Sequence, residues 1–255
     1  MKLAISGKGG TGKTTLAGIL AHLYREDGYN VLAVDADPDA NLAAAIGIPW
    51  EWQNKIRPIS EQRHLIKERT GATPREFGQL FKLNPRVSDI PDDYGIDFQG
   101  IRLLVMGAVQ KGGEGCACPE NVLLKSLLSE IILHRNEVVI VDMEAGIEHL
   151  GRATAESIDK MLICIEPGSR SLDTAKAIMR LGKEIGIQDF GIVGNKIRNK
   201  NQESWIRTQF ATDIFLGFLP YSKTIQEADI QQKPLFDVMG TSLSKAFNKI
   251  YQQLL

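Results

Sequence analysis

Short apolar, β-branched runs alternate along this chain with longer stretches in which apolar residues recur every three or four positions. The first pattern is that of a strand buried on both faces, the second that of a helix packed by one face. Strands are predicted at Lys2–Ser6, Asn30–Asp35, Ile101–Met106, Val138–Asp142, Met161–Ile165, Phe190–Asn195 and Ile214–Leu219. Helices fit Lys13–Glu26, Glu120–His134, Ser171–Ile185, Gln202–Phe210 and Ser242–Leu254. The alternation implies a doubly wound α/β fold, a mostly parallel sheet of about seven or eight strands with helices on both faces. The stretch Ile48–Gln99 breaks the rhythm. It carries Trp50, Trp52 and the acidic segment Ser88–Asp97, and reads as an insertion packed on the domain rather than a second domain. With no internal repeat, low-complexity segment or flexible linker, residues 1–255 are expected to form one domain.

Between the first strand and the first helix stands Gly7-Lys8-Gly9-Gly10-Thr11-Gly12-Lys13-Thr14-Thr15. Strand, glycine loop, helix is the setting in which this pattern makes a phosphate cradle, the P-loop. The glycines let the backbone curl so that its amides point at phosphate oxygens, and the helix N-terminus adds positive potential. Lys13 is expected to reach the β- and γ-phosphates and the Thr14 hydroxyl to ligand Mg²⁺, with Gly7, Lys8, Gly9, Gly10, Thr11, Gly12 and Thr15 completing the cradle. A mere glycine turn before a helix would match two glycines, a lysine and a hydroxyl residue at this spacing in roughly one chain in a hundred of this length. Lys8 and the additional glycines make that coincidence far rarer, so the expectation is a bound nucleoside triphosphate.

Other candidate residues sit at strand ends. The second strand closes in Asp35-Ala36-Asp37-Pro38-Asp39-Ala40-Asn41, at the edge where open α/β sheets place ligands. One acid there can orient or deprotonate an attacking water and another can hold Mg²⁺ through water. Asp37 is the stronger candidate, whereas Asp39 reads equally well as a cap for the helical run after it. Val138-Val139-Ile140-Val141-Asp142 is four apolar residues and an acid, the Walker B pattern, whose carboxylate would hold the Mg²⁺ water shell near Thr14. Met143–His149 follows with the character of a switch loop in which Gly146 can hinge towards a γ-phosphate; His149 reads as an exposed or capping residue before it reads as a ligand. Asn195 ends a strand with donor and acceptor groups that suit the adenine edge. Lys196 is followed by Ile197 and Arg198, so no Asn-Lys-x-Asp guanine signature is present.

The segment Gly112-Gly113-Glu114-Gly115-Cys116-Ala117-Cys118-Pro119 precedes a helix. Cys-x-Cys offers two thiolates, which do not complete a four-coordinate site alone. A twofold axis between two copies would gather four, a set suited to a thiophilic ion. A reactive or incidental pair is the alternative. Cys164, inside Leu162-Ile163-Cys164-Ile165, reads as a buried apolar residue.

Composition removes several classes. The formal net charge is −1, from 30 basic and 31 acidic residues, so no global field draws the chain to nucleic acid or membrane. No apolar stretch approaches transmembrane length, and Met1 leads directly into the first strand, so no signal peptide is expected. Three cysteines are too few for a disulfide framework, which suits a reducing cytoplasm. Leu243, Phe247, Ile250 and Leu254 form a helical stripe near the C-terminus, flanked by Lys245 and Lys249, which reads as a terminal helix packed on its own core.

Lys8 in Gly-Lys-Gly-Gly-Thr-Gly-Lys-Thr-Thr resembles the signature lysine of the deviant Walker A ATPases, which include the MinD, ParA, arsenite-pump and nitrogenase iron-protein relatives. The resemblance implies that ATP closes a homodimer in which each Lys8 reaches the other copy's nucleotide, and that Asp37, before Pro38, positions water. The acid that this family places farther along the loop on the Mg²⁺ side is Asn41 here, a departure from the pattern. The runs Gly-Cys-Ala-Cys-Pro-Glu-Asn, Glu-Ala-Gly-Ile-Glu-His-Leu-Gly-Arg, Asn-Lys-Ile-Arg-Asn and Leu-Pro-Tyr, together with the P-loop, resemble the CooC and AcsF type of nickel-insertion ATPase. That likeness implies Ni²⁺ or Zn²⁺ held by Cys116 and Cys118 of two subunits, and ATP/ADP contacts from Asn195, Lys196 and Pro220. It further implies carbon monoxide dehydrogenase or acetyl-CoA synthase as client. A MinD- or ParA-like positioning ATPase, an iron–sulfur carrier and a structural zinc dimer are the competing readings.

Overall fold

The apolar runs become strands whose two faces are both covered, as a parallel sheet between helix layers requires. The computed structural model describes residues 1–255 apart from 75, 77, 108–117, 136, 145–149, 151 and 232. Strands β1 (Lys2–Gly7), β2 (Val31–Ala36), β3 (Ile96–Phe98), β4 (Ile101–Val105), β5 (Val138–Met143), β6 (Lys160–Ile165), β7 (Phe190–Ile197) and β8 (Phe215–Pro220) form one eight-stranded sheet in the order β3-β4-β2-β5-β1-β6-β7-β8. All neighbours pair in parallel except β3 and β4. The helices are α1 (Lys13–Glu26), α2 (Leu42–Ile46), α3 (Trp50–Gln53), α4 (Arg63–Thr70), α5 (Ile90–Tyr94), α6 (Pro119–His134), α7 (Arg152–Glu156), α8 (Ser169–Ile185), α9 (Lys200–Arg207), α10 (Lys223–Ile230), α11 (Leu235–Val238) and α12 (Thr241–Tyr251).

Alternation along each strand sorts side chains onto two cores. Leu3 and Ile5 of β1, with Val138 and Ile140 of β5, pack against Leu16 and Leu20 of α1 and Phe247 and Ile250 of α12. Ala4, Val139 and Val141 face the other way, onto Leu123 and Leu127 of α6 and Ile178 of α8. The C-terminal stripe is spent in the first of these cores: Leu243, Phe247, Ile250 and Leu254 are all buried. No helix among the described residues is long and apolar enough to cross a membrane.

All seven predicted strands are present, and α1 has the predicted bounds. The eighth strand, β3, lies inside the irregular stretch 48–99 and pairs antiparallel with β4, Ile96 opposite Leu103. Three residues are too short a run for periodicity to register. Helix α9 starts ahead of its predicted position because Asn199 accepts a hydrogen bond from the Gln202 amide at 3.0 Å, an N-cap. Helix α2 is the helical run expected after Asp39, whereas the short helices α3, α4, α5, α7, α10 and α11 have no counterpart among the predicted elements. What matters for the site is the centre of the sheet: the chain passes from β1 to β2 on one side and from β5 to β6 across to the other. The crevice beyond the C-terminal ends of β1, β2 and β5 is therefore a topological switch point.

Candidate nucleotide site

The loop 7–12 joins β1 to α1 at that crevice. The Thr11 hydroxyl and amide both donate to the Lys8 carbonyl, at 2.7 and 3.2 Å, and close the turn. Gly12 precedes α1 in a left-handed conformation, φ 93°, and a side chain there would collide with the Asn195 amide. Only glycine accommodates both demands. The first turn of α1 carries no acid and no side-chain cap, so its free amides and positive dipole end face the crevice, an arrangement that attracts phosphate.

Lys13 is buried, and its Nζ stands 3.7 Å from Asp37 Oδ2. Strand register sets Asp35 of β2 directly opposite Asp142 of β5, and both are fully buried. Burial pushes the Asp142 carboxyl up to about 7; the nearby Thr14 hydroxyl eases this, yet neither carboxylate oxygen has a well-aligned hydrogen bond from a described residue. A buried carboxylate without a well-aligned donor, beside a hydroxyl, is an oxygen set that suits a hard divalent cation such as Mg²⁺. Burial pushes Asp35 up to about 6, and the amides of Leu42, at 2.9 Å, and Asp37, at 3.3 Å, pull it part of the way back.

Asp35 was not singled out from the sequence, although Val31-Leu32-Ala33-Val34-Asp35 has the same four-apolar-plus-acid form as Val138–Asp142. It takes the role considered for Asp39. The first amide of α2, Leu42, goes to the Asp35 carboxylate; Asp39 is exposed, and its own amide donates to Asp37 Oδ1 at 3.0 Å. The buried acid, deprived of water, is the one that gathers the helix amide. Asn41, at the position of the family's second acid, turns its side-chain amide to the Asp39 carbonyl.

Asn195 is also buried, and its amide is committed to the loop. Nδ2 donates to the Thr11 carbonyl at 2.8 Å and Oδ1 accepts the Lys196 amide at 2.7 Å. Lys196 reaches back to the same loop, donating to the Gly10 carbonyl at 2.6 Å. Pro220 ends β8 opposite Ile197, beside this corner. Lys8 and Thr15 are half-buried, and no carboxylate among the described residues pairs with Lys8. Cys164 lies opposite Gly7 in the sheet, fully buried, its thiol pushed up to about 12 by burial, so it is an inert core residue. Cys118 is half-buried just before α6. Cys116, Gly112–Gly115, Gly146 and His149 lie outside the described residues.

The raised carboxyl of Asp142 has a consequence for stability. An acid that holds its proton more tightly when folded adds no penalty below the ordinary carboxylate range. It costs the folded state progressively more as pH rises towards about 7. Asp142→Asn, measured by denaturant unfolding without Mg²⁺ or nucleotide, is therefore expected to stabilise the protein at pH 8 by on the order of 3 kcal/mol. The gain should vanish near pH 4, and no gain at pH 8 would contradict the burial argument.

A glycine loop between a central parallel strand and a helix, with a buried lysine and buried acids on adjacent strand ends, defines a P-loop nucleotide-binding protein. The chain belongs to the CobQ/CobB/MinD/ParA nucleotide-binding domain family, whose model matches residues 2–235. An ATP-binding protein of Methanocaldococcus jannaschii is 43% identical over 100% of this chain and 98% of its own length. The carbon monoxide dehydrogenase accessory protein CooC of Rhodospirillum rubrum is 45% identical over 96% of this chain and 93% of its own. Among solved structures, the cell division ATPase MinD of Pyrococcus furiosus superposes with a TM-score of 0.67 at 22% identity, covering 100% of this chain and 98% of that one. That likeness bears on the fold alone.

Proposed function

We propose that this protein is a Mg²⁺-dependent, homodimeric ATPase that delivers nickel to carbon monoxide dehydrogenase or acetyl-CoA synthase. The observation that carries the ATPase reading is the buried Asp142 carboxylate, without a well-aligned donor, beside the Lys13–Asp37 pair. The client follows from the likeness to CooC over nearly the whole of both chains.

The loop amides and the α1 N-terminus bind phosphate oxygens, and Lys13 neutralises the terminal phosphate. An incoming γ-phosphate competes with Asp37 for Lys13. The Asp37 carboxylate is then free to accept a hydrogen bond from a water molecule and to hold it in line with the γ-phosphorus. The water oxygen bonds to phosphorus, the bond to the β–γ bridging oxygen breaks, and ADP and inorganic phosphate leave, the phosphate carrying the water's proton or passing it to solvent. Thr14 and Asp142 would hold Mg²⁺, which would supply neutralising charge to the phosphates. Lys8 of each copy completes the other's site, so turnover awaits dimer closure. Asn195, Lys196 and Pro220 border the adenine. Cys116 and Cys118 of both copies hold one Ni²⁺ or Zn²⁺ as cargo on the twofold axis. On this reading residues 48–99 are an insertion within one ATPase domain, the protein works in the cytoplasm, and neither nucleic acid nor membrane is a partner.

The test is Ni²⁺ titration of apo-protein with its mass in solution followed in ADP and in ATP. One Ni²⁺ per dimer is expected, with metal and ATP each favouring the doubled mass. One Ni²⁺ per monomer, or a mass that ignores both ligands, would remove the shared-site reading.

A further inference from the structure

Gly9 and Gly10, at the tip of the phosphate loop, are exposed, and a side chain built at either would meet no described atom within 4 Å, so hydrogen bonds to the loop carbonyls are what ties this tip to the rest of the fold. Three of its carbonyls are held: Lys8 by Thr11, Thr11 by Asn195, and Gly10 by Lys196. The third tether has a feature that the others lack. Lys196 Nζ is gripped at the same time by Glu166 Oε2 at 2.9 Å. Glu166 follows the end of β6, and its amide donates to Ser171 Oγ at 3.1 Å, so it is anchored to the first turn of α8. Lys196 meanwhile has φ 57°, a left-handed backbone rare for a side-chain-bearing residue, with its amide fixed by Asn195.

An ordinary surface ion pair is the plain reading, since Lys196 and Glu166 are 44% and 27% exposed. Pairs this exposed add little to stability. A strained backbone is not needed for a surface pair, and here the ammonium has a second acceptor in the very segment that carries Lys8. We propose that Glu166 is a positioning residue: through Lys196 it pins the Gly10 carbonyl and so fixes the tip of the loop from which Lys8 acts. Without the Glu166 charge the Lys196 ammonium is no longer directed at Gly10, the tip wanders, and Lys8 meets the second copy's nucleotide in the wrong geometry. This inference rests on the reading that Lys8 serves turnover across the dimer.

The experiment is a double-mutant cycle between Glu166→Gln and Lys8→Ala, with ATP turnover as the readout and thermal midpoints as the check on folding. Glu166→Gln is expected to lower kcat about tenfold, the scale of a small misplacement, with KM for ATP moved by less than about twofold. Glu166→Asp should fall between it and the parent. In the Lys8→Ala background the same substitution should have no further effect. The charge-exchanged Glu166→Lys, Lys196→Glu double variant should not recover, because a glutamate has no proton to donate to Gly10. An unchanged kcat, a loss that adds in full to that of Lys8→Ala, a rise in KM at constant kcat, or recovery in the charge-exchanged variant each overturns the proposal. If Lys8→Ala itself turns over normally, the dimer reading fails instead, which is a different result from a Glu166 effect that is absent or additive.

Discussion

Lys8→Ala is expected to reduce ATP turnover by roughly a thousandfold or more, the scale of losing a charge supplied in trans at phosphoryl transfer, while the monomer keeps much of its ATP affinity. The geometry separates two sources of positive charge. Lys13 is buried and already faces a carboxylate 3.7 Å away, at the position where a bound terminal phosphate would replace it. Lys8 is half-buried beside the exposed Gly9 and Gly10 and has no carboxylate partner among the described residues; on the dimer reading its charge serves the other copy's nucleotide. In the cis site the helix N-terminus and Lys13 remain after Lys8 is removed, and these suffice for binding. What is lost is charge delivered only when the transition state needs it, which lowers kcat more than affinity. Steady-state turnover together with calorimetric ATP binding separates the two. Normal turnover by a purified, folded Lys8→Ala protein would sink the model, and equal losses in binding and turnover would make Lys8 an ordinary phosphate ligand.

The parts of this site that were legible in the sequence are those written in consecutive residues. Val138–Asp142 and the loop 7–15 state their strand, turn and helix locally, and α1 came out with the predicted bounds. The parts that were not legible depend on assembly. Asp35 matters because sheet register sets it opposite Asp142, and register is not visible until β2 and β5 pair. Asp39 lost the capping role for the same reason: a buried competitor for the α2 amide was waiting at the strand end. Glu166 gave no signal at all, since its partner Lys196 sits on another strand and their common target is the loop. The sequence offers Asn195 as a donor and an acceptor, but only the folded chain reveals that the Thr11 carbonyl and the Lys196 amide use both. Edge strand β3 escaped because its three residues take their conformation from β4 rather than from their own pattern.

Removing both thiols of the Cys-x-Cys pair, as Cys116→Ala with Cys118→Ala, is expected to abolish stoichiometric nickel binding, metal-induced dimerisation and activation of the client enzyme together. The three are one event in the shared-site model. Each copy supplies two thiolates, too few for a closed site, so a tightly bound ion requires the second copy, and the ion in turn ties the copies together. By reciprocity, whatever factor nickel adds to dimer affinity the dimer adds to nickel affinity, and ATP, by favouring the same dimer, must raise both. Thiolates must shed protons to coordinate, so below the ordinary thiol range each drop of one pH unit should weaken binding by up to about tenfold per sulfur. That is up to about four powers of ten per pH unit for four thiolates, and about two for an isolated two-thiolate site. Ni²⁺ bound by four thiolates should also give sulfur-to-metal charge-transfer absorption that reports square-planar or tetrahedral geometry. Tight, stoichiometric nickel binding by the folded double variant, or by a strictly monomeric parent protein, would overturn the model. A pH slope corresponding to two sulfurs would do so as well, because only the two-subunit site asks four thiols to ionise for one metal.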